Sequence, residues 1–122
     1  MSDDTIDRVE AAVSAWLTVP DVALRLGTDV ARVRQLLRER QLLACRRGER
    51  NVLYVPADFL AGSEVLKGLP GTIVVLADSG FDDGAALRWL FTEDPSLPGT
   101  PVRALQENRG TEVRRRAQAL AL

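Results

Sequence analysis

The chain has 122 residues, enough for one compact domain or for a small head joined to a second small unit. It is 46% hydrophobic and 27% charged, as globular proteins are, and with only 5% aromatics its core has to be built mainly from Leu, Val and Ala. The net charge of −1 excludes a generally polycationic protein, the lack of histidine excludes His-dependent acid–base or metal chemistry, and the single Cys45 excludes an internal disulfide.

The longest apolar run, "TIVVLA", falls far short of the roughly 18 residues of a membrane span. The start "MSDDTIDRVE" is acidic, the wrong chemistry for a signal peptide. A cytoplasmic protein with no membrane partner is expected. The charge is unevenly spread. Residues 18–50 hold eight arginines against four acids, whereas residues 1–17 carry a charge of −3 and residues 51–108 a charge of −5. A basic segment between acidic flanks points to a local anionic partner.

In chain order, residues 1–17 form a tail in which "AAVSAWL" is expected as a short helix docking Trp16 and Leu17 on the core. Thr5 stands in this tail, where an ordinary threonine is a plainer reading than a modification site. Thr18 is an N-cap candidate, with Asp21 in the capping-box position. Val22, Ala23 and Leu26 then give helical spacing up to Gly27, which suits a left-handed helix end. Thr28 or Asp29 caps a second helix, Val30 to Arg40, whose Val30, Val33, Leu36 and Leu37 share one side. Two short helices around a tight Gly turn are a helix-turn-helix pattern. "QLLACRR" and "NVLYVP" follow as a β-hairpin with Gly48 at its tip and Pro56 at its end, and "ADFL" starts a helical turn.

Beyond Gly62, a helix is expected from about Pro70 to Asp78, closed by Gly80. Another follows an Asp82 or Asp83 cap, carrying Leu87, Leu90 and Phe91. "TEDPSLPGTP" is a loop and "VRALQ" a helical turn. "GTEVRRRAQALAL" closes the chain with Val113, Ala117 and Leu120 on one face. The predicted fold class is mainly α with a small β-hairpin wing: a winged helix-turn-helix head over residues 18–61 and a helical C-terminal domain over 62–122.

The second helix carries the functional signal. Opposite its aliphatic side it presents Ala31, Arg32, Gln35 and Arg38, with Arg34 at the border and Glu39 beside them. Arg forks onto guanine O6 and N7 and Gln onto adenine N6 and N7, each worth roughly 1–3 kcal/mol of discrimination. Arg46, Arg47 and Arg50 bracket the hairpin loop and are expected on the DNA backbone, where contacts supply affinity rather than sequence preference. A basic outer face alone is often merely solvated. Here it coincides with helix-turn-helix spacing and a basic hairpin, so double-stranded DNA is the expected partner.

"TVPDVALRLGTDVARVRQLLRERQLLACRRGERNVLYVPADFL" resembles the helix-turn-helix heads of MerR-type regulators and phage excisionases. Val19, Asp21, Ala23, Leu26, Gly27, Val33, Leu42, Arg46, Gly48, Arg50 and Pro56 carry the match. The resemblance sets Arg34 where such heads often have an arginine and makes Gly48 the wing turn. It departs at Arg40, where those heads usually end the recognition helix with glycine. "LRWLFTEDPSLPGTPVRALQENRGTEVRRRAQALA" is similar to the C-terminal region of a family of small actinobacterial winged helix-turn-helix DNA-binding proteins, which implies sequence-dependent DNA binding and transcription regulation. "TPVRAL" and "RGTEV" also resemble toxin-binding domains of antitoxins. That supports a rival reading, an interaction module whose C-terminal helices bind a partner protein.

The remaining chemistry is sparse. Cys45 reads as a small apolar residue in a strand. Asp82–Asp83 and Glu93–Asp94 read as caps, and "GLPG" lacks the Lys and Ser/Thr of a phosphate loop. Arg114, Arg115 and Arg116 fan over about 200° of a helix, too widely to face one partner. No catalytic residue, metal site or cofactor is expected. No heptad seam decides between monomer and dimer.

Overall fold

The computed structural model describes Val9 and residues 12–120; Thr5 and the rest of the acidic tail lie outside the described residues. In chain order the elements are β1 (Trp16–Thr18), α1 (Val19–Leu26), α2 (Val30–Arg38), β2 (Cys45–Arg47), β3 (Val52–Pro56), a 3-10 turn (Ala57–Phe59), β4 (Leu60–Ala61), β5 (Glu64–Val65), α3 (Leu69–Asp78), α4 (Asp83–Leu90), α5 (Pro101–Gln106) and α6 (Gly110–Ala119).

Short polar side chains start most of these helices. Thr18 and Asp21 form a reciprocal capping box, the Asp21 N–H donating to Thr18 Oγ1 and the Thr18 N–H to Asp21 Oδ2. Asp29 accepts from the Arg32 N–H at 2.8 Å and so begins α2. Asp82 does the same for α4 through the Ala85 N–H, and Thr100 for α5 through the Arg103 N–H. Each such cap satisfies one of the donors that a helix start leaves without an internal partner.

The ends of α1 and α2 differ in a telling way. Gly27 closes α1 with φ 66°, and the Thr28 N–H returns to the Ala23 carbonyl at 2.9 Å. Recognition-helix candidate α2 stops at Arg38, two residues before the expected end, with Arg40 itself left-handed at φ 56°. The Arg40 N–H donates to Leu37 O and the Gln41 N–H to Leu36 O, the pairing of a Schellman stop normally built on glycine. The helix therefore ends where a glycine would have ended it. A left-handed side-chain-bearing residue costs about 1–2 kcal/mol, and the contact Arg40 makes, an ion pair with Asp83 at 2.9 Å, is about half exposed on both sides. Pairs so exposed return about 0.2–1 kcal/mol.

Trp16 and Leu17 do not belong to a helix. They lie in β1, which pairs antiparallel with β3, Trp16 opposite Pro56 and Thr18 opposite Tyr54, while β2 pairs along the other edge. The hairpin expected from sequence is thus the larger part of a three-stranded sheet ordered β1-β3-β2. Alternation sends Leu17 and the fully buried Val55 to one side of the sheet. The Ala57 N–H bonding Ala15 O and the Ser14 N–H and Oγ bonding Asp58 Oδ1 pin the strand's start. Val9 and Ala12 are helical, and the Val13 side chain is buried.

One cluster of buried side chains runs from Val13 to Ala117, so head and C-terminal helices share a core. Phe59 and Phe91 meet across it with ring centroids 5.6 Å apart. Helices α3 and α6 pack against each other, and their starts approach at Gly68 and Gly110. A Cβ on Gly68 would sit 3.0 Å from Leu105 Cδ2 and 3.6 Å from the Gly110 Cα, and its φ is 87°. Val113 and Ala117 are buried as expected, but Leu120 lies past the end of α6 and is 41% exposed.

Two polar side chains, Asp94 and Arg109, hold the Pro-rich loop before α5. Asp94 Oδ1 accepts from the Ser96 N–H and Oγ, which holds the Asp94 carboxyl below its ordinary value. Arg109 donates to Leu97 O, Glu107 and Glu112. The hydrogen bond from Arg109 lowers the Glu112 carboxyl, and the same bond raises the Arg109 guanidinium.

Two outcomes follow. Gly68→Ala combines a left-handed backbone with a close contact, and urea unfolding should show a loss of about 1–3 kcal/mol. Because Glu112 titrates lower in the folded chain, its contribution is present above its ordinary value of 4.5 and fades as pH falls through the lowered one. Glu112→Gln should therefore flatten the acid limb of the thermal-stability profile and leave its slope near neutral pH unchanged.

Candidate nucleic-acid interface

Helix α2 is fixed by its aliphatic side. Val33 is fully buried and Leu36 nearly so, with Val30 and Leu37 half-buried, against an α1 whose Val22 and Ala23 are likewise inward. At 100° per residue the rest of the helix has to turn outward, and Ala31, Arg32, Arg34, Gln35, Arg38 and Glu39 are all exposed.

The outer side chains form a short ladder. Arg32 Nη1 donates to Gln35 Oε1 at 3.0 Å, and Gln35 Nε2 donates to Glu39 Oε2 at 3.0 Å. The amide of Gln35 is thereby oriented along the helix, carbonyl toward Arg32 and NH2 toward Glu39. Its oxygen keeps a second lone pair and its nitrogen a second hydrogen, the donor and acceptor that a base edge uses.

Arg34 and Arg38 turn toward the sheet and meet Arg46 across an open cleft of about 480 Å³, between the start of α1, the second half of α2 and the β2–β3 hairpin. Val19, Leu37, Val52 and Leu53 give it an apolar lining, and Thr18 and Pro20 at the start of α1 also border it. Among the described residues, no hydrogen bond or ion pair engages the guanidinium groups of Arg34 and Arg38. Arg46 Nη1 donates to the Asn51 carbonyl at 2.9 Å, which ties this arginine to the hairpin turn. That turn needs left-handed residues at both ends, and Gly48 (φ 79°) and Asn51 (φ 57°) supply them, with the Asn51 N–H bonded to Gly48 O. Arg50 is exposed at the tip.

Arg47 is separated from this group. Successive strand residues point to opposite faces, so with Arg46 on the cleft side Arg47 faces away, its guanidinium carbon 4.5 Å from the Trp16 ring centroid and 5.7 Å from that of Tyr54. The sites predicted from sequence thus divide. Arg34, Arg38 and Arg46 are gathered around the cleft, Arg32 and Gln35 lie on the outer face of α2, Arg50 is at the tip, and Arg47 is on the far face of the sheet.

Residues that the sequence reading passed over also lie here. Asn51 reads from sequence as the first residue of a strand and Thr18 as a helix cap, yet Asn51 is a left-handed turn residue that holds Arg46, and Thr18 and Pro20 line the cleft. Trp16 as the seat of Arg47 carried no local signal, because the strand that presents it forms through a pairing forty residues away.

Comparison with known proteins bears on the whole chain. Residues 1–60 match the family model described as "DNA-binding protein Rv2175c, wHTH domain", and residues 66–121 match "Rv2175c C-terminal domain of unknown function". A curated relative, "DNA-binding protein Rv2175c" of Mycobacterium tuberculosis (strain ATCC 25618 / H37Rv), is 41% identical over 132 residues, spanning 98% of this chain and 86% of the relative. The solved "NMR structure of Rv2175c" superposes with a TM-score of 0.80 at 40% identity, covering 88% of this chain and 82% of that one. The helix-turn-helix, the winged sheet and the helical C-terminal unit are thus those of a known pair of domains, and the chain belongs to the Rv2175c family.

Proposed function

We propose that this protein binds double-stranded DNA in a sequence-dependent way and acts as a transcriptional regulator in the cytoplasm. One observation carries the reading: α2 seats its aliphatic side on the core through the buried Val33 and Leu36 while Arg32 and Gln35 stay exposed, with Arg34, Arg38 and Arg46 grouped along the adjoining cleft. The name of the M. tuberculosis relative, a DNA-binding protein, supports it. In this reading residues 18–61 are the DNA-binding head and residues 62–122 the helical unit that completes its core. Arg32 and Gln35 read base edges in the major groove; Arg34, Arg38, Arg46 and Arg50 hold the phosphates on either side.

With a net charge of −1 for the whole chain, attraction to DNA is local to this face. Affinity should accordingly depend on few phosphate contacts. Four neutralised phosphates correspond to a slope of log K against log salt of about −3 to −4.

Fluorescence anisotropy with duplexes recovered from genomic fragments tests the assignment. Arg32→Ala and Gln35→Ala should each cut discrimination between the preferred duplex and a scrambled one by about tenfold. Arg34→Ala, Arg38→Ala and Arg46→Ala should weaken both duplexes alike, each lowering the salt slope by about 0.9. If Arg32→Ala/Gln35→Ala binds both duplexes as the parent does, α2 is not the reader. Arg47→Ala should separate from all of these. It should leave the salt slope unchanged and cost about 0.5–1 kcal/mol of stability by removing the cation from Trp16, seen as a changed emission of that tryptophan.

A further inference from the structure

We infer that Arg40 is a further phosphate-contact residue of the DNA-binding face and that Asp83, in the first turn of α4, is the residue that aims it. The inference rests on the DNA-binding reading above. It starts from the helix stop. Arg40 occupies a left-handed position where glycine would end α2 at no steric cost, and its half-exposed ion pair returns less than that backbone costs. The value of an arginine here therefore lies outside the folding free energy, which makes an outlier of this kind a pointer to function.

Position and chemistry agree on what that function is. Arg40 follows directly on the helix that bears Arg32, Arg34, Gln35 and Arg38, and its side chain is 49% exposed. Among the described residues only Nη1 is engaged, by Asp83 Oδ1 at 2.9 Å. The other donors of the guanidinium have no hydrogen-bond partner among the described residues. A guanidinium carries five N–H groups in a rigid fork, so one carboxylate oxygen on one edge leaves an edge able to take a phosphate oxygen pair.

Asp83 acts through Arg40. Its backbone is fixed because the neighbouring Asp82 caps α4 through the Ala85 N–H, and α4 is rooted in the core by Ala86, Leu87 and Leu90. A carboxylate held this way confines a long, flexible side chain before DNA arrives, which lowers the ordering cost of binding. On its own the carboxylate repels phosphate. The C-terminal unit thus contributes to DNA binding by orienting a head residue, without touching the duplex there.

The test uses the full chain, one preferred duplex and anisotropy titrations across salt concentrations, with thermal melts alongside. Arg40→Gly should keep or raise the melting temperature, since glycine tolerates the left-handed stop, while weakening binding by about threefold to tenfold and lowering the salt slope by about 0.9. Arg40→Lys should retain the slope and recover part of the affinity. Asp83→Asn should keep the full slope, because the arginine charge remains, but bind about twofold to threefold more weakly. An Arg40→Gly protein that binds with unchanged affinity and slope, while Arg32→Ala/Gln35→Ala still abolishes discrimination, overturns the inference and leaves the DNA reading intact. Tighter binding by Asp83→Asn overturns the aiming role and makes Asp83 a competitor of phosphate. A parent protein with no salt-dependent binding overturns both readings together.

Discussion

The seating of α2 on α1 is the contact on which the rest of this structure depends. Val33 and Leu36 are sealed against a helix pair whose other half supplies Val22 and Ala23. Helical periodicity leaves no freedom once that face is buried, so four cationic or amide side chains must project from the opposite side. Full burial of these aliphatic groups is worth about 1.5–3 kcal/mol each, far more than any single polar contact on the outer face. The apolar seam therefore sets the orientation, and Arg32, Gln35 and Glu39 organise themselves on a surface already fixed.

The sheet converts that surface into a concave one. Because β2 alternates, it sends Arg46 to the α2 side and Arg47 to the far side. The cleft gains a third arginine beside its apolar lining, and the far face gains a cation stacked on Trp16 and Tyr54. The two neighbours in sequence have different work: one adds positive potential next to α2, the other holds β1 and β3 together at their outer face. The C-terminal unit closes the core through the Phe59–Phe91 contact and reaches the stop that follows α2 through the Arg40–Asp83 pair. It is joined to the head by packing as well as by chain.

Much of this was legible in the sequence where the signal was local. Thr18 with Asp21, Gly27, the Asp82 cap and the apolar spacing of α2 each specify structure within four residues, and the helix starts fall where those signals put them, while α2 ends two residues early. The hairpin was legible because two strand-like runs flank a turn at Gly48; the left-handed Asn51, counted with the second strand, was not. Non-local structure was not. Trp16–Thr18 has no turn or cap of its own and becomes a strand only because β3 presents an open edge forty residues later, so a local reading made it helical. Arg40 misled in a different way. Arginine is a good helix former by propensity, and nothing nearby announces that Asp83, more than forty residues on, will meet it. The scatter of the candidate site follows from the same limit: the pattern that marked Arg46, Arg47 and Arg50 as basic was visible, but the side of the sheet each would take depended on the strand register.

Amide chemical-shift mapping on the full chain, titrated with its preferred duplex at moderate salt, tests the central claim most directly. The account predicts perturbations concentrated between Asp29 and Arg40 and at Arg46 to Val52, with α3 and α6 unmoved. Perturbations centred on α3 and α6, with the α2 amides undisturbed at saturation, would contradict it.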